Sequence, residues 1–217
     1  MGQGLTLAAL MTGLMTGCAA GEADSDGASG ASGASATTGA KVAQRGGSIG
    51  ASGSACELPV TFDIAEFWKA KAVDAEEASA ATGDLADLAD AFLRQGPVTM
   101  ACEVDAKPAG KIGFLRVWTG EPGDTDARAV LEDFVAAEQG ASGARYSTVK
   151  AGDITGTEVE YVTTSELLEE TKQEHALAVT TSAGPVVLHL GGMDTAEHEA
   201  MLPAYELAKS TLHTTTG

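Results

Sequence analysis

One cysteine near the start of the chain stands in a context that predicts covalent lipid attachment. The segment Leu14 to Cys18, with the sequence LMTGC, closes an apolar run from Leu5 to Met15 that carries no charge. This run is too short to span a hydrocarbon core and has the length of the apolar region of a secretory signal peptide. We therefore predict that residues 1–17 are a signal peptide, that the thiol of Cys18 takes the lipid, and that this lipid anchors the protein to the extracytoplasmic face of the cell membrane.

The alternative is that residues 5–15 form an ordinary core helix. Four glycines among residues 1–17 oppose it, because each interior glycine costs a helix about 1 kcal/mol relative to alanine. Residues 1–17 also contain no Lys or Arg, although a secretory signal usually begins with positive charge. A true start upstream of Met1 would account for the missing positive charge.

The other two cysteines, Cys56 and Cys102, form an even pair in a protein that we expect outside the cytoplasm. Disulfides persist in such oxidising compartments, so we predict a Cys56–Cys102 disulfide. It would stabilise the fold by about 4 kcal/mol in the chain-entropy description. The alternative is two buried free thiols. The chain has no Cys-x-x-Cys motif, which argues against a catalytic or metal-binding role for these residues.

The four histidines, His175, His189, His198 and His213, all lie near the end of the chain. His189 is predicted in a central strand and His175 in the strand paired with it, so the two imidazoles and the carboxylate of Glu174 would suit zinc. The alternative is that His189 is a hydrogen-bonded strand residue and the others lie at the surface. We favour this alternative and predict no metal site, no cofactor and no catalytic residue.

The two tryptophans are candidates for lining a ligand pocket. Trp68 and Trp118 each precede loop-forming sequence at the end of a predicted strand. Aromatic residues at strand ends also serve as core, and that reading stays open. The chain contains no Gly-x-Ser-x-Gly motif of a serine hydrolase.

Composition divides the chain into three parts. After the predicted signal peptide at 1–17, residues 18–54 are dominated by Gly, Ala, Ser and Thr and are predicted to be a lipidated cysteine followed by a flexible linker. Residues 55–217 are long enough for a single domain with one substantial core. The formal net charge of −18 repels polyanions, which excludes nucleic acid as an expected partner and leaves an unknown protein or small-molecule ligand.

Hydrophobic periodicity predicts an α+β domain with a mainly antiparallel sheet flanked by helices, because hairpins are bracketed by helices instead of alternating strictly with them. The predicted strands are 58–64, 98–104, 111–119, 146–149, 157–164, 174–181 and 185–190. The predicted helices run from Asp84 to about residue 93, from Thr125 or Asp126 to about 139, and from Asp194 or Thr195 to about 212.

The order of these elements resembles actinobacterial lipoproteins of the LpqN/LpqT type, which have the PsbP-like α/β/α sandwich. The resemblance is carried by the first strand leading into a tryptophan, Val60–Trp68, by the Gly-x-x-Val-x-Tyr strand Gly156–Tyr161, by Gln173 at the start of the last hairpin, and by the final helix ending near Ser210. It covers about residues 57–213. It implies binding or assembly, and it brings no catalytic residue.

We therefore expect a membrane-anchored extracytoplasmic lipoprotein with a non-enzymatic binding domain. The alternative is an envelope enzyme, for example a metal-dependent hydrolase that uses the late histidines.

Overall fold

The computed structural model describes residues 41–74, 92–167 and 169–215. These residues belong to one compact unit, Gly39–Gly217. The predicted signal peptide and Cys18 lie outside the described residues, as does most of the helix predicted from Asp84. In the described part of the chain, no helix combines the length and apolarity needed to cross a membrane.

The described strands of the main sheet pair antiparallel with their neighbours. In spatial order they are β3 (Lys69–Ala72), β5 (Val98–Asp105), β6 (Gly113–Gly120), β10 (Gly184–Gly192), β9 (Glu170–Thr181), β8 (Ile154–Ser165) and β7 (Ala141–Ala151), with the short β4 (Arg94–Gln95) pairing with β5. The apolar strand β10 is central and almost wholly buried, as the sequence predicted.

A smaller sheet comprises β1 (Arg45–Ile49), β2 (Val60–Ala65) and β11 (His213–Thr214). Strand β1 lies inside the segment that we predicted to be linker, so the boundary at residue 54 is wrong and the folded domain begins earlier. Ile49 is only 2 % exposed and belongs to the core. A Cβ at Gly46 would lie 2.6 Å from the Cα of Glu66. At this position the small residue permits close backbone pairing instead of signalling a linker.

The helices begin at the predicted caps. Helix α1 (Ala127–Ala136) follows Asp126, whose carboxylate accepts hydrogen bonds from two backbone N–H groups of the first turn. Helix α2 (Thr195–Ser210) follows Asp194, which accepts from the N–H of Glu197 at 2.8 Å. These side chains satisfy backbone donors that a helix start leaves without partners.

The helices cover opposite faces of the main sheet. Alternate strand residues point to opposite faces, so Val187 packs in the cluster that contains the buried residues of α1, and Leu188 packs in the cluster that contains those of α2. We call these sides the α1 face and the α2 face. The structure is therefore α+β, as predicted.

The predicted disulfide is confirmed. Cys56 and Cys102 are bonded with a Cα–Cα distance of 6.0 Å, and both are buried in the core of the α2 face. The bond joins the chain just before β2 to β5 of the main sheet.

Candidate functional site

A cavity of about 1260 Å³ lies on the α1 face of the main sheet. Its lining includes Trp118 from β6, His189 from β10, and Glu174 and Lys172 from β9. Glu138, just beyond the end of α1, contributes to the wall. The cavity thus combines an aromatic ring with groups that ionise.

Strand register brings these side chains together. Tyr161 of β8 lies opposite Glu174 of β9, and His189 of β10 lies opposite Ala176, two residues after Glu174. Residues opposite each other, and residues two apart on a strand, share a face. Tyr161, Glu174 and His189 therefore all point to the α1 face.

Five polar side chains form a continuous network along the cavity. The Tyr161 hydroxyl donates to Oε2 of Glu138 at 2.6 Å and lies 3.1 Å from Nε2 of His189. That nitrogen is 3.3 Å from Oε2 of Glu174. The other carboxylate oxygen of Glu174, Oε1, lies 2.7 Å from Nζ of Lys172. The network thus places two carboxylates around one imidazole.

Burial and nearby charges set the ionisation of two members of this network, Tyr161 and Glu174. Burial, reinforced by the Glu138 carboxylate, raises the pKa of Tyr161 well above its ordinary value, so the phenol keeps its proton. Burial opposes ionisation of Glu174, but the nearby His189 and Lys172 outweigh it and lower the pKa of that carboxyl. Glu174 is therefore a buried carboxylate at neutral pH.

Two residues that line the cavity each hold a buried polar atom that makes no hydrogen bond among the described residues: Nε1 of Trp118, and Oε2 of Glu174, which lies 3.3 Å from Nε2 of His189 without hydrogen-bond geometry. Trp118 is 4 % exposed and Glu174 is 1 % exposed. Buried polar atoms are nearly always hydrogen-bonded, and leaving one unpaired costs about 1 to 3 kcal/mol. The wall of the cavity therefore holds one unused donor, on Trp118, and one carboxylate oxygen, on Glu174, whose contact with His189 is electrostatic.

The two tryptophans proposed as pocket residues are not brought together. Trp118 lines the large cavity, whereas Trp68 packs in the core of the α2 face and borders a separate cavity of about 200 Å³. Both indole rings are mostly buried. The core interpretation is therefore correct for each, and Trp118 in addition contributes to the candidate site.

The approach of His175 to His189 that the sequence suggested does not occur. His175 lies opposite Leu190, one residue along from His189, so the two imidazoles point to opposite faces. Nδ1 of His175 instead lies 2.7 Å from Nε2 of His198 in α2. His198 is fully buried, which corrects the expectation that it lies at the surface.

The surroundings of His198 disfavour its charged form. Burial, with a further contribution from His175, lowers the pKa of His198 to about 4. Its Nδ1 is buried and has no hydrogen-bond partner among the described residues. The pair lies on the α2 face, on the other side of the sheet from the large cavity.

Three members of the site, Glu138, Tyr161 and Lys172, were not predicted as site residues from the sequence. Tyr161 had a usable signal, since Val159 and Tyr161 alternate with Glu158 and Glu160 along β8. Glu138 had none, because it follows the end of α1 and only the packing of that helix brings it to the sheet.

The fold and the cavity define the class of protein as an α+β domain with a polar site on one face of an antiparallel sheet. The chain belongs to a protein family described as uncharacterised lipoprotein, which matches residues 26–212. No curated protein and no solved structure gives a significant match.

Proposed function

We propose that this lipoprotein is anchored to the extracytoplasmic face of the cell membrane through Cys18 and binds a small molecule, without catalysis, in the cavity of the α1 face. The observation that carries the binding proposal is the pair of buried polar atoms that make no hydrogen bond among the described residues, Nε1 of Trp118 and Oε2 of Glu174. A ligand with an acceptor and a donor would satisfy both and recover their burial cost.

The cavity has the composition of a binding site. Small-molecule sites are concave, usually about 300 to 1000 Å³, and combine apolar surface with a few convergent polar groups. The volume here is of that order, about 1260 Å³. Trp118, Met100 and Phe114 supply the apolar part, and the network around His189 supplies the polar part.

We also propose that the domain has the PsbP-like fold. Helices on both faces of a mainly antiparallel sheet support the PsbP-like α/β/α sandwich and the likeness to LpqN/LpqT lipoproteins. The implied role in binding or assembly agrees with a cavity that offers hydrogen-bonding groups.

Lipid anchoring is tested by replacing the candidate lipid acceptor. Cys18→Ser is expected to move the protein from the membrane fraction to the medium, because stable anchoring needs acyl chains. The matched control is the double variant Cys56→Ala/Cys102→Ala, which removes the two cysteines outside the segment Leu14–Cys18 and is expected to stay with the membrane. A Cys18→Ser protein that still sediments with membranes would refute the anchor.

Ligand binding is tested with the two tryptophans. The purified chain is equilibrated with a small-molecule extract of the cell envelope, freed of unbound compounds by gel filtration, and analysed by mass spectrometry. Trp118→Phe removes the unpaired N–H and keeps an aromatic ring, so we expect it to retain at least tenfold less of the bound compound. Trp68→Phe, on the opposite face, is the control and should retain the wild-type amount. If the wild-type chain retains nothing, or both variants behave alike, the proposal fails.

A metal-dependent envelope hydrolase is the second candidate. It is favoured by one observation: ligand atoms of Glu138, Glu174 and His189 all lie within 4.8 Å of one another. Turnover of chromogenic ester, amide or phosphoester substrates by the wild-type chain with added zinc, abolished in His189→Gln, would replace the binding proposal with this one.

A further inference from the structure

We propose that Glu138, Glu174 and His189 form a binding site for a divalent transition-metal ion, with Zn²⁺ as the preferred ion. This inference goes beyond small-molecule binding, and it differs from our sequence-based prediction of no metal site.

The spacing of the three side chains fits a zinc ion after a small adjustment. Zn²⁺ binds nitrogen and oxygen at about 2.0 to 2.2 Å in tetrahedral geometry, which places ligand atoms about 3.4 Å apart. Nε2 of His189 and Oε2 of Glu174 are already 3.3 Å apart. All three ligand atoms lie within 4.8 Å of one another, so the widest pair needs to close by at most about 1.4 Å to reach tetrahedral spacing.

An independent observation points to a ligand at the same place. Oε2 of Glu174, a residue that is 1 % exposed, makes no hydrogen bond in the described part of the chain, although it lies 3.3 Å from Nε2 of His189. A buried carboxylate oxygen without a hydrogen bond is costly, whereas coordination of a cation compensates its charge. The same residue lines the large cavity, which gives an ion a route to it.

The donor set favours zinc over the alkaline-earth ions. Ca²⁺ and Mg²⁺ prefer sites made of oxygen, whereas an imidazole with two carboxylates suits zinc and its neighbours in the transition series. Three protein ligands leave a fourth tetrahedral position, as in zinc sites that accept an exchangeable ligand.

Neighbouring groups hold both carboxylates in place. The Tyr161 hydroxyl and the Gln95 amide donate to Oε2 of Glu138 at 2.6 and 3.3 Å. The Thr163 hydroxyl donates to Oε1 of Glu174 at 3.4 Å. Such surrounding hydrogen bonds orient metal ligands.

Lys172 and Arg116, two of the cationic residues that line the cavity, have carboxylate partners other than the proposed coordinating atoms. Lys172 lies against Oε1 of Glu174, on the side away from Oε2, and its side chain is 36 % exposed. Arg116 is paired with Glu103 at 2.9 Å. Lys172 and a divalent ion together carry three positive charges, and the two ligand carboxylates carry two negative charges. A water in the fourth position would neutralise the site on losing a proton.

The experiment is a zinc titration of the purified 217-residue chain, by isothermal calorimetry and by competition with a chromogenic chelator. We expect one zinc per chain with submicromolar affinity and much weaker binding of Mg²⁺ and Ca²⁺. His189→Gln and Glu174→Gln are each expected to weaken zinc binding at least tenfold. His175→Gln, a histidine substitution on the opposite face of the same hairpin, is the control and should bind zinc as the wild type does.

A second readout separates loss of a ligand from loss of the fold. Co²⁺ bound to the wild-type chain should give the visible absorption of a tetrahedral site, and His189→Gln should lose it while keeping the wild-type far-ultraviolet circular dichroism. Binding below stoichiometric amounts, or equal loss in His175→Gln and His189→Gln, would overturn the site. No organic ligand is present in this titration, so its failure is distinct from failure of the small-molecule proposal.

Discussion

Removing the Cys56–Cys102 disulfide is expected to destabilise the fold substantially. The bond joins the segment that enters the small sheet to β5 of the main sheet, and both cysteines are buried in apolar surroundings. Alanine is the appropriate replacement at both positions, because serine would place an additional hydroxyl in the core.

The magnitude follows from the loop that the bond closes. The cysteines are 46 residues apart, and the loop-closure entropy for that length amounts to about 4 kcal/mol at 25 °C. Small domains are stable by about 5 to 15 kcal/mol. The loss is therefore a large fraction of the total, and the variant should still be partly or wholly folded in the absence of denaturant.

Urea denaturation followed by circular dichroism measures the effect. With a slope of about 2 kcal/mol per molar urea, the midpoint of the Cys56→Ala/Cys102→Ala chain should fall by about 2 M. Reductant should lower the midpoint of the wild-type chain similarly and leave that of the double variant unchanged. If the double variant loses less than about 1 kcal/mol of unfolding free energy, or if its midpoint still responds to reductant, the disulfide is not what stabilises the contact between the two sheets.

Three further predictions concern local features. The pKa of His198 in the folded chain, about 4, lies below the ordinary 6.5. Between these values the unfolded chain binds a proton that the folded chain does not. The stability that neutral His198 gives is therefore complete above pH 6.5 and is lost as the pH falls towards 4. The loss amounts to about 3 kcal/mol, and His198→Gln should flatten the dependence of Tm on pH in this range; an unchanged dependence would contradict the assignment. Asp126→Ala removes the cap of α1 and should lower the unfolding free energy by about 1 kcal/mol in urea, while Asp126→Asn should retain most of it. At Gly152, φ is +58° and a Cβ would lie 1.9 Å from the carbonyl oxygen of Leu212, whereas at Gly143, with φ of +65°, the nearest atom is 3.9 Å away. Gly143→Ala should cost about 1 to 2 kcal/mol and Gly152→Ala clearly more by the same assay; equal costs would show that the close approach is relieved.

Local sequence signals predicted the elements whose causes are local. The cap at Asp126 and the apolar stripe at residues 130, 131, 134 and 135 located α1, and these four residues are buried. The apolar run of β10 predicted a central strand, because a strand covered on both faces needs apolar side chains on both. Strand β1 was missed because its pairing with β2 is made by backbone groups, which composition does not report.

The candidate site was predicted only in part, for a reason of register. The sequence identified His189 and Glu174 but grouped them with His175, which the alternation of β9 places on the opposite face. A one-residue difference along a strand reverses the face of a side chain. Nδ1 of His175 lies 2.7 Å from Nε2 of His198 in α2, and no local sequence pattern predicts this contact.

The sequence by itself determined the class of the chain: an acidic α+β domain, with Cys18 as its predicted lipid anchor and two further cysteines able to cross-link it. These properties depend on composition, short motifs and periodicities that span a few residues. Only the tertiary structure decided which polar side chains meet, because Glu138, Tyr161, Glu174 and His189 come from elements far apart in the chain. Sheet order, strand register and the packing of α1 bring these side chains to one cavity. All three depend on packing across the whole domain.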